Sequence, residues 1–175
     1  MAMFRYSEEI QTKFNAFYEN AGLLNEHLNI TPFMYGSLAV ADIVHRNNIT
    51  VDDIDVLIPE AYLTGEGWQR FCHVLATHGY VLTDEHEHTF VKDGVFYAYA
   101  SIEDLLPFAG IDPSTFSSLH EYSCDGYTYY RLLPDEMLRV YEKSSQDGYR
   151  VGTRGKKDAE KIQLLSDYIA TDDLF

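Results

Sequence analysis

Twice in the second half of the chain an Asp-Gly step separates two runs rich in β-branched and aromatic residues, in "TFVKDGVFYAYA" and again in "EYSCDGYTYYRLL". Asp-Gly between such runs is the strongest short-range signal for a tight hairpin, so the chain must build antiparallel pairs. The first half reads differently. Ile10, Phe14, Phe17 and Tyr18 fall on one face of a helix running from about residue 7 to the region of Gly22. "TPFMY" is a short buried strand, Ser37 to about Arg46 a second helix, "IDVLI" a strand closed by Pro59, and "GEGWQRFCHVLATHGY" a third helix ending at Gly79. Toward the end, Leu133, Met137, Val140 and Tyr141 form one apolar stripe behind Pro134, and Ile162, Leu165 and Ile169 form another behind "RGKKDAEK". Helices and strands in this order give a mixed sheet flanked by helices, the α+β class.

Composition narrows the function. With 46% hydrophobic and 23% charged residues in 175 positions, the chain suits one globular domain with a sizeable core. The net charge of -15 opposes a phosphate backbone or an anionic membrane, so nucleic acid and membrane are poor partners. Yet Arg150, Arg154, Lys156, Lys157 and Lys161 gather five of the 13 cations in one stretch able to hold an anion. Cys72 and Cys124 give no disulfide framework, and no signal segment or membrane-length apolar run is evident, so a cytoplasmic location is expected. Cys72 falls among Trp68, Phe71 and Leu75 at helical spacing and reads as core.

The chemistry concentrates in "FMYGSLAVADIVHRNNITVDDIDVLIPE". In a strand, residues two apart share a face at about 6.5 to 7 Å. In "DIDVLI" this sets Asp53 and Asp55 against Ile54, Val56 and Ile58. Two converging carboxylates repel, and a divalent cation such as Mg²⁺, which favours oxygen ligands and keeps places for phosphates, stabilises both. The bland reading is a solvated strand entrance, since Asp is common there. Upstream, Gly36 permits a tight strand-to-helix turn, and the unpaired N–H groups of the next helix, with the Ser37 hydroxyl, can bind phosphate.

"YGS", a helix, then "DDIDVLI" resembles the nucleotidyltransferase superfamily of DNA polymerase beta, poly(A) polymerases, antibiotic nucleotidyltransferases and the small toxin–antitoxin members. "RGKKDAEKIQLL" resembles the Lys-Asp helix that follows the core in small bacterial members. The resemblance implies one domain, with a core of about 1–132 and C-terminal helices of about 133–170. It also implies Mg²⁺ and a nucleotide triphosphate, ATP above all, as donor to a hydroxyl of a small molecule or protein. Gly36 and Ser37 would hold the β- and γ-phosphates, and Asp53 and Asp55 would ligate the metal. Lys156, Lys157 and Asp158 are either a phosphate clamp or an ordinary charged helix start with Asp158 near the positive end of the dipole. The family's third carboxylate lies on a later strand. Here that strand is "VFYAYA", which has no acid, and Glu103 and Asp104 just beyond it are the candidate replacements, Glu103 first. The spacing from Ser37 to Asp53 is also longer than usual, with "NNIT" as an insertion. A degenerate, non-enzymatic binding or regulatory module of the same fold therefore stands as the alternative.

Three other segments have two readings each. "DEHEHTF" puts His86 and His88 on one strand face at a spacing that suits Zn²⁺, but without further ligands a solvent-facing strand is the expectation. "YTYYRLL" either packs or stacks on an aromatic substrate. "PFAGIDPSTFSSL" is a connection or the rim of a site.

Overall fold

The structure, a computed structural model, describes residues 4–146 and 153–172, without the side chains of 153 and 154. Arg150 and the Arg154 side chain, both in the basic stretch, lie outside the described residues.

Helix α1 (Glu8–Leu28) begins where Ser7 accepts a hydrogen bond from the Ile10 N–H and where Glu8 and Glu9 meet the positive helix end. Its buried stripe runs through Phe14, Phe17, Ala21, Leu24 and Leu28. Burying a side chain such as Phe17 (0% exposed) contributes about 2 kcal/mol. The helix does not stop at Gly22 as the pattern suggested. A Cβ at Gly22 would lie 2.6 Å from the Gly126 carbonyl oxygen, so this glycine admits a hairpin tip against the helix. The real end is Asn29, left-handed at φ 53, where the Ile30 N–H donates to the Leu24 carbonyl.

Strand β1 (Phe33–Tyr35) leads into α2 (Gly36–Val44), which ends on left-handed His45. Strand β2 (Ile54–Ile58), α3 (Gly65–Thr77), β3 (Val81–Asp84), β4 (Thr89–Lys92) and β5 (Val95–Ser101) follow. Short α4 (Leu105–Ala109) and three 3-10 turns fill the segment between β5 and the pair β6 (Glu121–Cys124) and β7 (Tyr127–Arg131). Helices α5 (Pro134–Ser145) and α6 (Thr153–Asp172) complete the described chain. None of the helices among the described residues is long and apolar enough to cross a membrane.

The strands form a seven-stranded mixed sheet in the order β3-β4-β5-β2-β1-β7-β6. Both Asp-Gly hairpins form as expected, β4 pairing with β5 and β6 with β7, each antiparallel. At the first, Asp93 (φ 51) and Gly94 (φ 77) are both left-handed, the geometry that matches strand twist. Strand β2 sits at the centre, antiparallel to β1 and parallel to β5. On one face, Tyr97 and Tyr99 pack beneath α1 and α3, with the Tyr99 ring edge-on to Phe71. On the other face, Phe33 meets Phe116 of the α4–β6 connection.

One expected strand is a turn. Residues 85–88 of "DEHEHTF" join β3 to β4, His88 is left-handed (φ 53), and its ring packs against Trp68. No group of three or more His, Cys, Asp or Glu side chains suited to a metal ion occurs among the described residues.

Candidate active site

The β1–α2 turn builds the floor of the site. Tyr35 pairs with Asp55 across β1 and β2, and α2 begins immediately, with no capping bond from the side chain of its N-cap residue Tyr35 to its first N–H groups. Those groups carry the positive end of the helix dipole. Gly36 takes φ 65, a conformation L side chains rarely adopt. A Cβ there would also overlap Asp55 Oδ2 and lie 3.1 Å from Asp55 Cβ and Cγ. Glycine is thus required twice over, and its bareness seats the Asp55 carboxylate against the helix start.

Around this turn lies a cavity of about 580 Å³, lined by Gly36, Ser37 and Asp55 together with Ala98 and Ala100 of β5. Its far wall comes from the C-terminal helices: Tyr141 and Ser144 of α5, Asp158 and Lys161 of α6. Glu87, from the β3–β4 turn, adds another acid. A second cavity of about 470 Å³ adjoins it, sharing Ser37 and Lys161 and extending along Asn48, Thr50, Asp52 and Lys157.

Of the residues singled out in the sequence, Gly36, Ser37 and Asp55 come together in the first cavity. Asp53 is exposed, one residue ahead of β2, and is not part of the lining. Asp52 approaches the α6 side, with its carboxylate 3.9 Å from Lys157 Nζ. Both partners are exposed, so this pair contributes little. Lys156 is exposed and lines neither cavity.

Glu103 is placed elsewhere. Its carboxylate accepts hydrogen bonds from Ser101 Oγ at 2.8 Å and from the Glu60 N–H at 2.9 Å, closing a 3-10 turn after β5. Burial alone would raise its pKa, but these bonds and its own N–H outweigh that and lower it. A carboxylate so stabilised is a weak base, and it does not line the cavity. On β5 itself, Ala98 pairs directly with Asp55, so alternation puts Phe96, Ala98 and Ala100 on its side of the sheet.

Asp158 and Lys161 are the residues that sequence reasoning underused. Asp158 fitted an ordinary charged helix start, yet it is 3% exposed and accepts a hydrogen bond from Ser144 Oγ at 3.1 Å. The signal was present in the helical period: counting back from Leu165, which is fully buried, positions 161 and 158 fall on the same inward face.

No family model matches the chain. It is 36% identical over 156 residues to the uncharacterized protein YnaI of Bacillus subtilis (strain 168), covering 89% of this chain and 97% of that protein. Among solved structures, an antigenic nucleotidyltransferase-like protein from Paracoccidioides brasiliensis superimposes with a TM-score of 0.61 at 16% identity, over 91% of this chain and 76% of that one. The lincosamide antibiotic adenylyltransferase LnuA, in its lincomycin-bound form, gives 0.54 at 14% identity, over 93% and 98%. The antibiotic-resistance factor ANT(2'')-Ia gives 0.52 at 14% identity, over 93% and 96%. The chain therefore belongs to one family with YnaI, and its fold is that of the nucleotidyltransferase superfamily.

Proposed function

We propose that this protein binds a nucleoside triphosphate, with ATP the expected donor, together with Mg²⁺ and transfers its nucleotidyl group to a hydroxyl of a small molecule or protein. The observation that carries this reading is the seat of Asp55 against Gly36 at the start of α2, inside a cavity of nucleotide size.

In this reading the first N–H groups of α2 and the Ser37 hydroxyl hold the terminal phosphates, and Lys161 neutralises charge from the opposite wall. Asp55 ligates the metal, with Asp53 joining from outside β2 through its two-residue spacing. An oxygen donor set at a phosphate site fits Mg²⁺, which takes its remaining ligands from phosphates and water. When bound, the ion offsets the charge on the phosphates during displacement. The protein orients the donor and keeps bulk water behind α5 and α6. The aromatic rings of Tyr35 and Tyr141 offer surfaces for the nucleobase or the acceptor. The acidic surface favours a cationic acceptor, in the manner of an aminoglycoside-like compound.

A second reading is favoured by Ala98, which stands opposite Asp55 on the strand where the superfamily keeps its third acid. That reading is a nucleotide-binding regulatory module without turnover. Pyrophosphate release from ATP, measured with a panel of hydroxyl-bearing cationic acceptors, separates the two. Release in the wild type that is lost in Asp55→Asn supports transfer. Nucleotide binding with no release across the panel supports the module.

A further inference from the structure

We propose that the acceptor hydroxyl is carried by a polypeptide: a basic, apolar segment of a partner protein lies across the open face of β3, β4 and β5 and delivers a Ser, Thr or Tyr side chain into the cavity. The proposal rests on the nucleotidyl-transfer reading above and chooses between its two acceptor classes.

Strand register defines the face. Val81 pairs with Val91, and Val91 with Phe96, so these three side chains stand in one row on one side of the sheet. Ala98 and Ala100 share that side with Phe96 by alternation. Both line the cavity, and Ala98 pairs with Asp55. Phe108 of α4 adds an aromatic ring at the cavity end. On the opposite side of the same strands, Phe90 and Tyr97 are buried beneath α3 and α1. The Val81 row is not buried in this way, Val81 being 60% and Phe96 46% exposed. Single apolar side chains at a surface are ordinary. A row of them in register that leads into a cavity is a binding surface.

Length and charge name the occupant. The row crosses two strand spacings, about 10 Å, and the step from Phe96 to Ala98 adds about 7 Å. That path is the reach of roughly five residues of extended chain, whereas a small acceptor held at Ala98 leaves Val81 in water. The surrounding charge is negative. Asp84, Glu85 and Glu87 are exposed at the β3–β4 turn, and a neighbouring cavity of about 310 Å³ sets Glu60, Glu87 and Asp104 beside Ala100. Lys92, the one cation on these three strands, pairs with Val95 and so faces the other side, where it bonds Glu19 at 2.6 Å. A second copy of the chain brings the same net charge of -15 to the contact and is repelled. A basic segment is attracted.

In the transfer, the acceptor oxygen bonds to the α-phosphorus of ATP. The bond from that phosphorus to the oxygen bridging to the β-phosphate breaks with its electron pair, pyrophosphate leaves, and the hydroxyl proton passes to water.

The test uses ATP radiolabelled at the α-phosphate, with Mg²⁺, and three sets of acceptors. Two are libraries of synthetic nonapeptides with a central Ser, Thr or Tyr, one flanked by Lys, Arg, Leu and Val and the other by Asp, Glu, Leu and Val. The third is a panel of aminoglycosides. The proteins are the wild type, Phe96→Ala and Val81→Lys, with calorimetric titration of ATP, thermal unfolding and sedimentation equilibrium on each. The wild type is expected to label the basic library at least about tenfold more than the acidic one. Each variant is expected to lower that labelling at least about tenfold while ATP affinity and the thermal midpoint stay unchanged. Labelled aminoglycosides with no labelled peptide overturn the proposal and leave nucleotidyl transfer standing. Peptide labelling that neither variant changes overturns the assignment of the face. Dimers that Val81→Lys separates give the face to a second copy and overturn it as well. ATP binding with no labelled acceptor overturns it in favour of the regulatory module, and no ATP binding to the wild type overturns both readings.

Discussion

Gly36 and Asp55 occupy one another's space: the carboxylate of Asp55 lies where the side chain of any other residue at position 36 would begin. Gly36→Ala therefore carries two penalties, a left-handed alanine costing about 1 to 2 kcal/mol and a displaced carboxylate. Urea denaturation is expected to show a loss of at least that size. Because the second penalty needs Asp55, adding Asp55→Gly to Gly36→Ala is expected to recover part of it, a coupling of about 1 kcal/mol in a double-mutant cycle. Strict additivity would mean that the two residues do not contact.

Glu103 gives the opposite prediction from the one its position in the sequence suggested. Its pKa is lowered in the folded state, so it stabilises the protein above the unfolded value of about 4.3. That contribution is lost as pH falls through the lower folded value. Glu103→Gln is expected to flatten the acid limb of the stability–pH curve and to leave binding of ATP with Mg²⁺ unchanged. A loss of nucleotide affinity with intact stability would instead return Glu103 to the site.

The aromatic face beneath α1 predicts an alkaline transition. Burial raises the phenol pKa of Tyr97, Tyr99 and Tyr129 well above the ordinary value, and Tyr127, stacked on Tyr18 at 4.4 Å, is pushed up to about 12, chiefly by burial. Neutral phenols stabilise the fold fully below the unfolded value of about 10. That stability is lost as pH rises through the folded values. Tyrosinate absorbance is expected to appear in two stages, exposed phenols first and the buried set together with cooperative unfolding.

Arg131 predicts a large structural effect away from the site. Its guanidinium meets Asp42 at 2.7 Å, with the two side chains only 11% and 15% exposed, and Asp42 also accepts from Tyr129 at 3.0 Å. Replacing one member of a buried pair strands the other, so Arg131→Met is expected to cost about 3 kcal/mol in denaturant unfolding. A cost under about 1 kcal/mol would place this pair with ordinary surface bridges.

Much of this architecture was legible because local chemistry and tertiary packing agree. The Asp-Gly turns demanded hairpins and received them, and the Gly-Ser step after "FMY" marked the strand-to-helix turn that seats Asp55. Where tertiary contacts decide, the sequence misled. Gly22 looked like a helix end, but it exists for the approach of Gly126. Glu103 looked available, but a backbone N–H from Glu60, distant in the chain, engages it. Asp158, beside Lys156 and Lys157, fitted an ordinary charged helix start as well as a phosphate clamp, and its burial against α5 became visible only when both helices were in place.

The central claim is metal-dependent nucleotide binding at Asp55, and the most direct measurement is calorimetric titration of ATP into the wild type with Mg²⁺, with EDTA, and into Asp55→Asn with Mg²⁺. The account predicts saturable binding in Mg²⁺, weakened at least about tenfold by EDTA and similarly weakened by Asp55→Asn. Binding that is absent from the wild type, or indifferent to both the metal and Asp55, would contradict it.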